Sequence, residues 1–404
     1  MTTTTIADQL TAITGPQYVR QHEDTITVTP ANTQQISEIL RYANENHLTV
    51  TPVGGNTKQT WGNPVQANIH LELHRLNRVL EHPWQDLTCT VQAGCTWHQL
   101  QQTLAKHGQF VALDPLWPER ATVGGILATN DSGALRHRYG SLRDLVIGMT
   151  LVLADGTIAR SGGRVVKNVA GYDLCKLLTG SFGTLAVITE ATFRLHPLPQ
   201  HPQTYTVAAP QAAQLAPLMA TIRASHLLTQ ALQLRGDTNS FHLDIQLNAH
   251  PEAKQSEILH KMTEATDLKL DSASHEVWNA RESLLQHKDT LLIKATMLPE
   301  DVPALAQEVE EKEGQSVTQS LGIMYASFPA GELSSKLAEE FRYHVGLQSG
   351  TTMLLSRTPS STNAETWAFI AEGERPETLP LMQAVKQQFD PNRTLNPGRF
   401  LGGI

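Results

Sequence analysis

The chain has 404 residues, 40% of them apolar and 17% charged, with 31 basic against 39 acidic side chains and a formal net charge of −8. At about 100–200 residues per domain, this length implies two or three domains with cores that need no staples. The composition excludes a disordered chain, and the acidic balance excludes a dominant nucleic-acid or anionic-membrane surface.

The start, Met1 to Gln9, is Thr-rich and lacks the basic and apolar segments of a secretory signal. A helical period over residues 34–45 (Ile36, Ile39, Leu40, Ala43) has Asn32 or Thr33 as its cap. Residues 48–53 read as a strand ending at Gly54-Gly55, and residues 87–92 as another. Thr96 caps a helix to Lys106 that stops at Gly108. A strand over 145–153 turns at Asp155-Gly156 into 157–160, and a long strand covers 185–195. Pro197, Pro199 and Pro202 then mark a domain boundary.

The next stretch has another rhythm. Strands are expected over 204–208, 231–235 and 241–246, with helices over 211–224 and 251–264. A helix around 278–285 precedes strands 291–297, 317–321, 324–328 and 352–355, with helices over 300–311 and 330–341. This reads as β-α-β-β-α twice, an α+β domain whose antiparallel sheet carries helices on one face. A last helix, 378–388, leads to the tail Phe389 to Arg399, which is too small for a domain and is expected to return to the first. The expected division is 1–196, 197–360 and 361–404. No apolar run approaches the roughly 20 residues of a membrane span.

Three glycine-rich clusters fall in the first half: Pro52 to Lys58, Ala121 to Gly133, and Gly180 to Leu185. Adjacent glycines let backbone amides approach a ligand and form a nest for phosphate oxygens. Thr122 can cap a short helix whose first amides face an anion. Singly, each cluster is an ordinary tight turn. No Walker loop is present, and no G-x-G-x-x-G opens a βαβ unit. Together the clusters point to a diphosphate cofactor held in another way. The cysteines Cys89, Cys95 and Cys175 form no C-x-x-C pair and fall short of a four-cysteine iron–sulfur set, so any electrons need another carrier.

The order of elements resembles the FAD-binding domain of the vanillyl-alcohol oxidase/PCMH superfamily. The residues that carry this are Gly54-Gly55-Asn56-Thr57, Thr122-Val123-Gly124-Gly125, Thr129-Asn130, Arg138-Tyr139-Gly140-Ser141 and Val152-Leu153-Ala154-Asp155-Gly156. Lys167 to Leu174, Gly183-Thr184-Leu185 and Asn396-Pro397-Gly398 continue it. The resemblance spans residues 15–200 and the end of the chain. Within the superfamily it is most similar to the FAD-binding (E) subunits of glycolate oxidase/dehydrogenase, through Arg164 to Asp173, the short central domain and the tail.

The resemblance implies a PCMH-type FAD-binding domain of two subdomains (1–196), an α+β cap domain (197–360) and a returning C-terminal segment (361–404). It implies that Val53, Gly54, Gly55, Asn56, Thr57 and Lys58 embrace the pyrophosphate, and that Thr122, Val123, Gly124 and Gly125 continue the cradle. Thr129, Asp131, Ser132 and Gly133 would line the ribityl chain and ring edge. Pro115 would lie near the flavin ring, with Gly183 and the Ile188 backbone at the adenosine end. Covalent members often place His after the first glycine pair. Asn56 stands there, so non-covalent FAD is expected.

Catalytic relatives also carry a His-x-Gly-Asp-Gly-Asn-x-His-like segment, which this chain lacks. His242, His250, His260, His275, His287 and His344 are scattered, and each reads as a surface histidine. His70 and His74 are spaced i and i+4, but on a strand that is about 13 Å, too far for one metal; no metal is expected. Trp278 to Arg281 resembles an element of related oxidases in which Arg could reach an acid substrate or the flavin, and a plain Arg–Trp stack is the competing reading. The Asn396 amide could bond the flavin or cap a turn. Arg281 and Asn396 are therefore the catalytic candidates.

The expected activity is oxidation of a 2-hydroxy acid such as glycolate within a complex. A larger FAD-containing glycolate oxidase subunit and an iron–sulfur subunit are the expected partners, in the cytoplasm or held by them at the inner face of the membrane. A stand-alone FAD dehydrogenase and a non-catalytic scaffold are the competing readings.

Overall fold

The computed structural model describes residues 5–23, 25–163, 173–236, 240–248, 254–286, 290–319, 322–329, 334–356 and 378–404. Of the segments that carry the resemblance, residues 164–172, which hold most of Arg164 to Asp173 and of Lys167 to Leu174, lie outside the described residues. The chain divides into two compact units: Met1–Ser132, Ser141–Leu198 and Arg375–Ile404 form the first, Gly133–Gly140 and Pro199–Glu374 the second. The eight residues Gly133–Gly140 thus belong with the later part of the chain, although the sequence places them amid the first.

The first unit holds two larger sheets. One has four strands in the order Val19–His22, Thr25–Val28, Ile69–Glu72, Val50–Val53. Its last three strands run parallel, and the first pairs antiparallel. The helix Thr33–Glu45 links two of the parallel strands and buries Ile36, Ile39, Leu40 and Ala43, spaced for one helix face. Its cap is Asn32, whose Oδ1 accepts the Gln35 amide at 2.9 Å. The second sheet has five antiparallel strands: Val79–Glu81, Thr88–Gln92, Val187–Arg194, Val146–Val152, Ile158–Gly162. In the central strand, Val187, Ile188, Thr189, Ala191 and Phe193 are buried while Glu190, Thr192 and Arg194 are half-buried, so from Thr189 onward burial follows the period of two of a packed sheet face.

The end of the chain is woven into this unit. Leu395 is fully buried in the core formed by Leu10, Ile36, Leu40, Val50, Ile69, Leu71 and their neighbours. It pairs in parallel with Val50: the Val50 amide donates to the Thr394 carbonyl (2.7 Å), and the Asn396 amide to the Val50 carbonyl (3.0 Å). Lys386 on the helix Leu379–Phe389 donates to Asp390 (2.6 Å), to the Thr184 carbonyl (2.8 Å) and to the Leu395 carbonyl (2.9 Å). Burial lowers the Lys386 pKa, and Asp390 opposes this only in part.

The second unit is an eight-stranded antiparallel sheet ordered Leu270–Ser272, Pro202–Ala209, Phe241–Asn248, Thr229–Gly236, Gln315–Gln319, Ile323–Pro329, Thr290–Thr296, Thr351–Ser356. Its apolar face meets the helices Ala212–Ala224, Gln255–Glu264, Val302–Glu311 and Ser334–Leu347 in one core that includes Leu218, Leu232, Leu243, Ile293, Phe328 and Phe341. These long helices share one face, as the pattern predicts. The short segment His275–Gln286 differs. It lies against polar sheet residues: Gln233 donates to the Val277 carbonyl (2.7 Å), and Arg281 to the Tyr325 hydroxyl (3.2 Å).

Candidate functional site: a glycine-lined cleft in the first unit

One cleft of the first unit gathers all three glycine clusters. It is lined by Gly54, Gly55, Asn56, Thr57, Lys58 and Gln59 from the first, and by Thr122, Gly124, Gly125, Ala128 and Thr129 from the second. Phe182, Gly183, Ala186, Val187 and Ile188 come from the third, Leu73 and Ala93 from between, and Asn396 and Arg399 from the chain's end.

The glycines are required by close packing. A Cβ on Gly55 would stand 1.7 Å from the Arg120 carbonyl oxygen, and one on Gly54 2.1 Å from the Thr122 hydroxyl. Gly125 differs: its nearest neighbour would be that hydroxyl at 3.4 Å, so its α-carbon opens toward the cleft. Asn56 and Gly183 adopt left-handed backbone, φ +54° and +69°.

The unsatisfied groups define what the cleft can bind. Among the described residues, the amides of Gly54, Gly55, Asn56 and Thr57 donate no hydrogen bond, and neither does that of Gly125. Successive free amides form a concave donor array suited to phosphate oxygens. Thr122 occupies the cap position of the helix Val123–Thr129 without capping it. Its Oγ1 is buried and has no partner, as is the Oδ1 of Asn396. The Asn396 amide nitrogen is committed to the Phe182 carbonyl at 2.8 Å. Buried polar atoms are normally paired, and these two belong to residues that line the cleft, where a ligand could pair them. Apolar residues Pro52, Leu73, Ala93, Phe182 and Ile188 line the rest. Donor nest, orphaned oxygens and apolar wall fit a dinucleotide with a diphosphate linkage, as FAD has.

Several expected residues do something else. Lys58 points its ammonium at Asp131 (3.1 Å) and holds it 5.8 and 5.4 Å from the Trp61 and Trp117 ring centres. Asp131 is wholly buried and also accepts the Leu116 amide at 2.9 Å. This pair is a buried ionic tie between loops. Thr129 donates to the Gly125 carbonyl at 2.8 Å. Val53 lies in the strand Val50–Val53, Val123 is buried, and Pro115 and Ser132 are buried without lining the cleft. Gly133 belongs to the second unit. Pro52, Gln59, Phe182 and Arg399 line the cleft although the sequence reading gave them no site role. The glycine clusters beside three of them were the available signal; Arg399 gave none beyond adjacency to Asn396-Pro397-Gly398.

The second catalytic candidate, Arg281, lies in the second unit, 3% exposed, with its guanidinium 5.3 Å from the Tyr325 ring centre. Its aromatic neighbour is Tyr325 and not Trp278, whose indole donates to Thr204 at 3.2 Å. Asp244, fully buried, accepts from Arg235 (2.5 and 2.9 Å) and Gln233 (2.8 Å) on the same sheet. Among the described residues no three His, Cys, Asp or Glu side chains converge as a metal site. His70 lies in the strand Ile69–Glu72 and His74 beyond its end. No described helix is long and apolar enough to cross a membrane.

Comparisons with known proteins bear on the fold and on the kind of cofactor. Residues 25–162 match the FAD binding domain family, and residues 365–400 match the C-terminal domain of FAD linked oxidases. The fold is shared with p-cresol methylhydroxylase (TM-score 0.76, 14% identity, 98% of this chain and 96% of that one). It is also shared with alkyldihydroxyacetonephosphate synthase (TM-score 0.73, 17% identity, 97% and 84%). The chain thus carries a match to the FAD binding domain family over residues 25–162 and shares the fold of these two proteins. Among curated relatives it is similar to the glycolate oxidase subunit GlcD of Bacillus subtilis, 34% identical over 219 residues, 54% of this chain and 46% of that one. It is 40% identical to a D-lactate dehydrogenase of Archaeoglobus fulgidus over 179 residues, 44% of this chain and 40% of that one. In both, the chain spans less than half of the relative's length. A D-lactate dehydrogenase of Anaerostipes hadrus is 26% identical over 93% of this chain and 89% of its own.

Proposed function

We propose that this protein is an FAD-dependent oxidoreductase acting on 2-hydroxy acids, as the FAD-binding subunit of a glycolate dehydrogenase complex. The observation that carries the reading is the cleft, where four consecutive free amides and two orphaned oxygens meet an apolar wall. The names of the relatives support the substrate class. Gly54 to Thr57 and Gly125 would hold the diphosphate, and the Thr122 hydroxyl would donate to it. Asn396 Oδ1 would accept from a hydroxyl or amino group of the cofactor. When bound, FAD supplies a hydride acceptor for the substrate α-carbon. Asn56 offers no ring nitrogen for a flavin bond, so the FAD is non-covalent.

A larger flavin subunit would contribute the base for the hydroxyl proton, and an iron–sulfur subunit would take the electrons. The lack of a His-x-Gly-Asp-Gly-Asn-x-His-like segment in this sequence supports that division of labour. Native co-purification tests it, with partner chains identified and flavin counted. The isolated chain is expected to reduce no dye with glycolate, and robust unaided turnover would contradict the subunit reading. The near full-length similarity to the Anaerostipes hadrus enzyme favours the stand-alone alternative. That alternative requires rapid bleaching of the isolated flavin by one substrate.

A further inference from the structure

The buried cations of the first unit differ in one respect. Lys58 has Asp131 at 3.1 Å and Lys386 has Asp390 at 2.6 Å. Arg399 is equally buried, 6% exposed, yet no carboxylate among the described residues reaches it. Its acceptors are neutral: Nη1 donates to Gln59 Oε1 (2.7 Å), and Nη2 reaches the carbonyls of Lys58 (3.2 Å), Gln59 (3.3 Å) and Trp61 (3.2 Å). A guanidinium carries five N–H groups; the Nε–H and one Nη1 hydrogen find no acceptor among the described residues. Burial pushes its pKa down to about 10, which still leaves it charged at neutral pH. A buried charge without a counter-charge is costly. This one lines the cleft, beside the loop whose amides stand free.

We infer that Arg399 supplies the counter-charge for the diphosphate of the bound cofactor while fixing the loop Lys58–Trp61. The C-terminal segment is then a functional wall of the cofactor site. Its guanidinium adds the one full positive charge that the amide nest lacks, since the Lys58 charge is already neutralised by Asp131. The inference rests on the FAD reading above and goes beyond it by assigning the anion's ionic partner.

The test uses the full-length, deflavinated chain and competition against FAD fluorescence, with ADP and adenosine as probes. The wild type should prefer ADP to adenosine. In Arg399→Gln that preference should fall by about tenfold or more, the size of a lost charge-assisted hydrogen bond, with adenosine affinity held within about twofold. Arg399→Lys keeps the charge and should retain the preference within about threefold; it carries the test if the Gln variant does not fold. An unchanged preference in Arg399→Gln, equal loss of ADP and adenosine, or a Lys variant as weak as Gln would overturn the assignment. A wild type that binds neither FAD nor ADP would overturn the cofactor reading itself, which distinguishes the two failures.

Discussion

The hydroxyl of Thr122 stands 2.1 Å from where a Cβ on Gly54 would lie, so the two glycine-rich loops meet with no room for a methyl group. Gly54→Ala should therefore push Thr122 aside and empty the cleft of flavin. Thr122→Ala removes the clashing oxygen and leaves its Cβ at 3.3 Å, a contact that small shifts absorb. The double variant should recover part of the flavin content lost in Gly54→Ala, measured as FAD per chain after purification. No recovery would show that Gly54 is needed for another reason.

Gly125 and Gly55 should respond differently to the same change. A methyl at Gly55 meets the Arg120 carbonyl at 1.7 Å, so Gly55→Ala should destabilise the protein with or without cofactor. At Gly125 a methyl meets only a hydroxyl at 3.4 Å, and the residue is helical. Gly125→Ala should leave the cofactor-free form as stable or raise it by about 0.5–1 kcal/mol through helix propensity. The same methyl projects into the cleft and should weaken FAD binding. Thermal melts of deflavinated protein, paired with FAD titration, read the two signs separately.

The Lys58–Asp131 pair predicts a loss of stability more than a loss of charge complementarity. Asp131→Asn leaves the Lys58 ammonium, 4% exposed, without its carboxylate. The cost should be about 3–5 kcal/mol in urea unfolding, as for other broken buried pairs. A change below about 1 kcal/mol would place the pair among weak, solvent-screened ones.

The thiols should be silent in the native state. Burial pushes Cys89 up to about 12, and Cys95 and Cys175 up to about 11. At pH 8 the thiolate fraction is then about one thousandth or less, and thiolate is the reacting form. A chromogenic disulfide reagent should report no rapid thiol at pH 8 and all three after unfolding.

The legible parts of the sequence were those where local pattern and burial coincide. The helix Thr33–Glu45 carries an unbroken period matched to one packed face, and the strand Val187–Arg194 carries one from Thr189 onward. The helix Ile6–Thr14 and the strands Val19–His22 and Leu270–Ser272 were not singled out. The two strands are mostly exposed and have no apolar alternation to mark them. The first glycine cluster was visible because close approach leaves no choice of residue at Gly54 and Gly55. What those residues do was harder to read. Lys58 sits in an anion-friendly loop, yet its charge is consumed by Asp131, 73 positions later, a contact set by tertiary folding. Arg399 shows the converse: nothing local marks it, and its place depends on the chain's end returning beside Val50.

The central claim is that this cleft holds FAD through backbone amides and without a covalent bond. Its most direct test is acid precipitation of the purified full-length chain, with flavin measured in pellet and supernatant. The account predicts yellow protein that releases about one FAD per chain into the supernatant, since backbone and side-chain hydrogen bonds are lost on unfolding. Flavin that stays with the pellet, or a colourless chain that takes up no FAD on reconstitution, would contradict it.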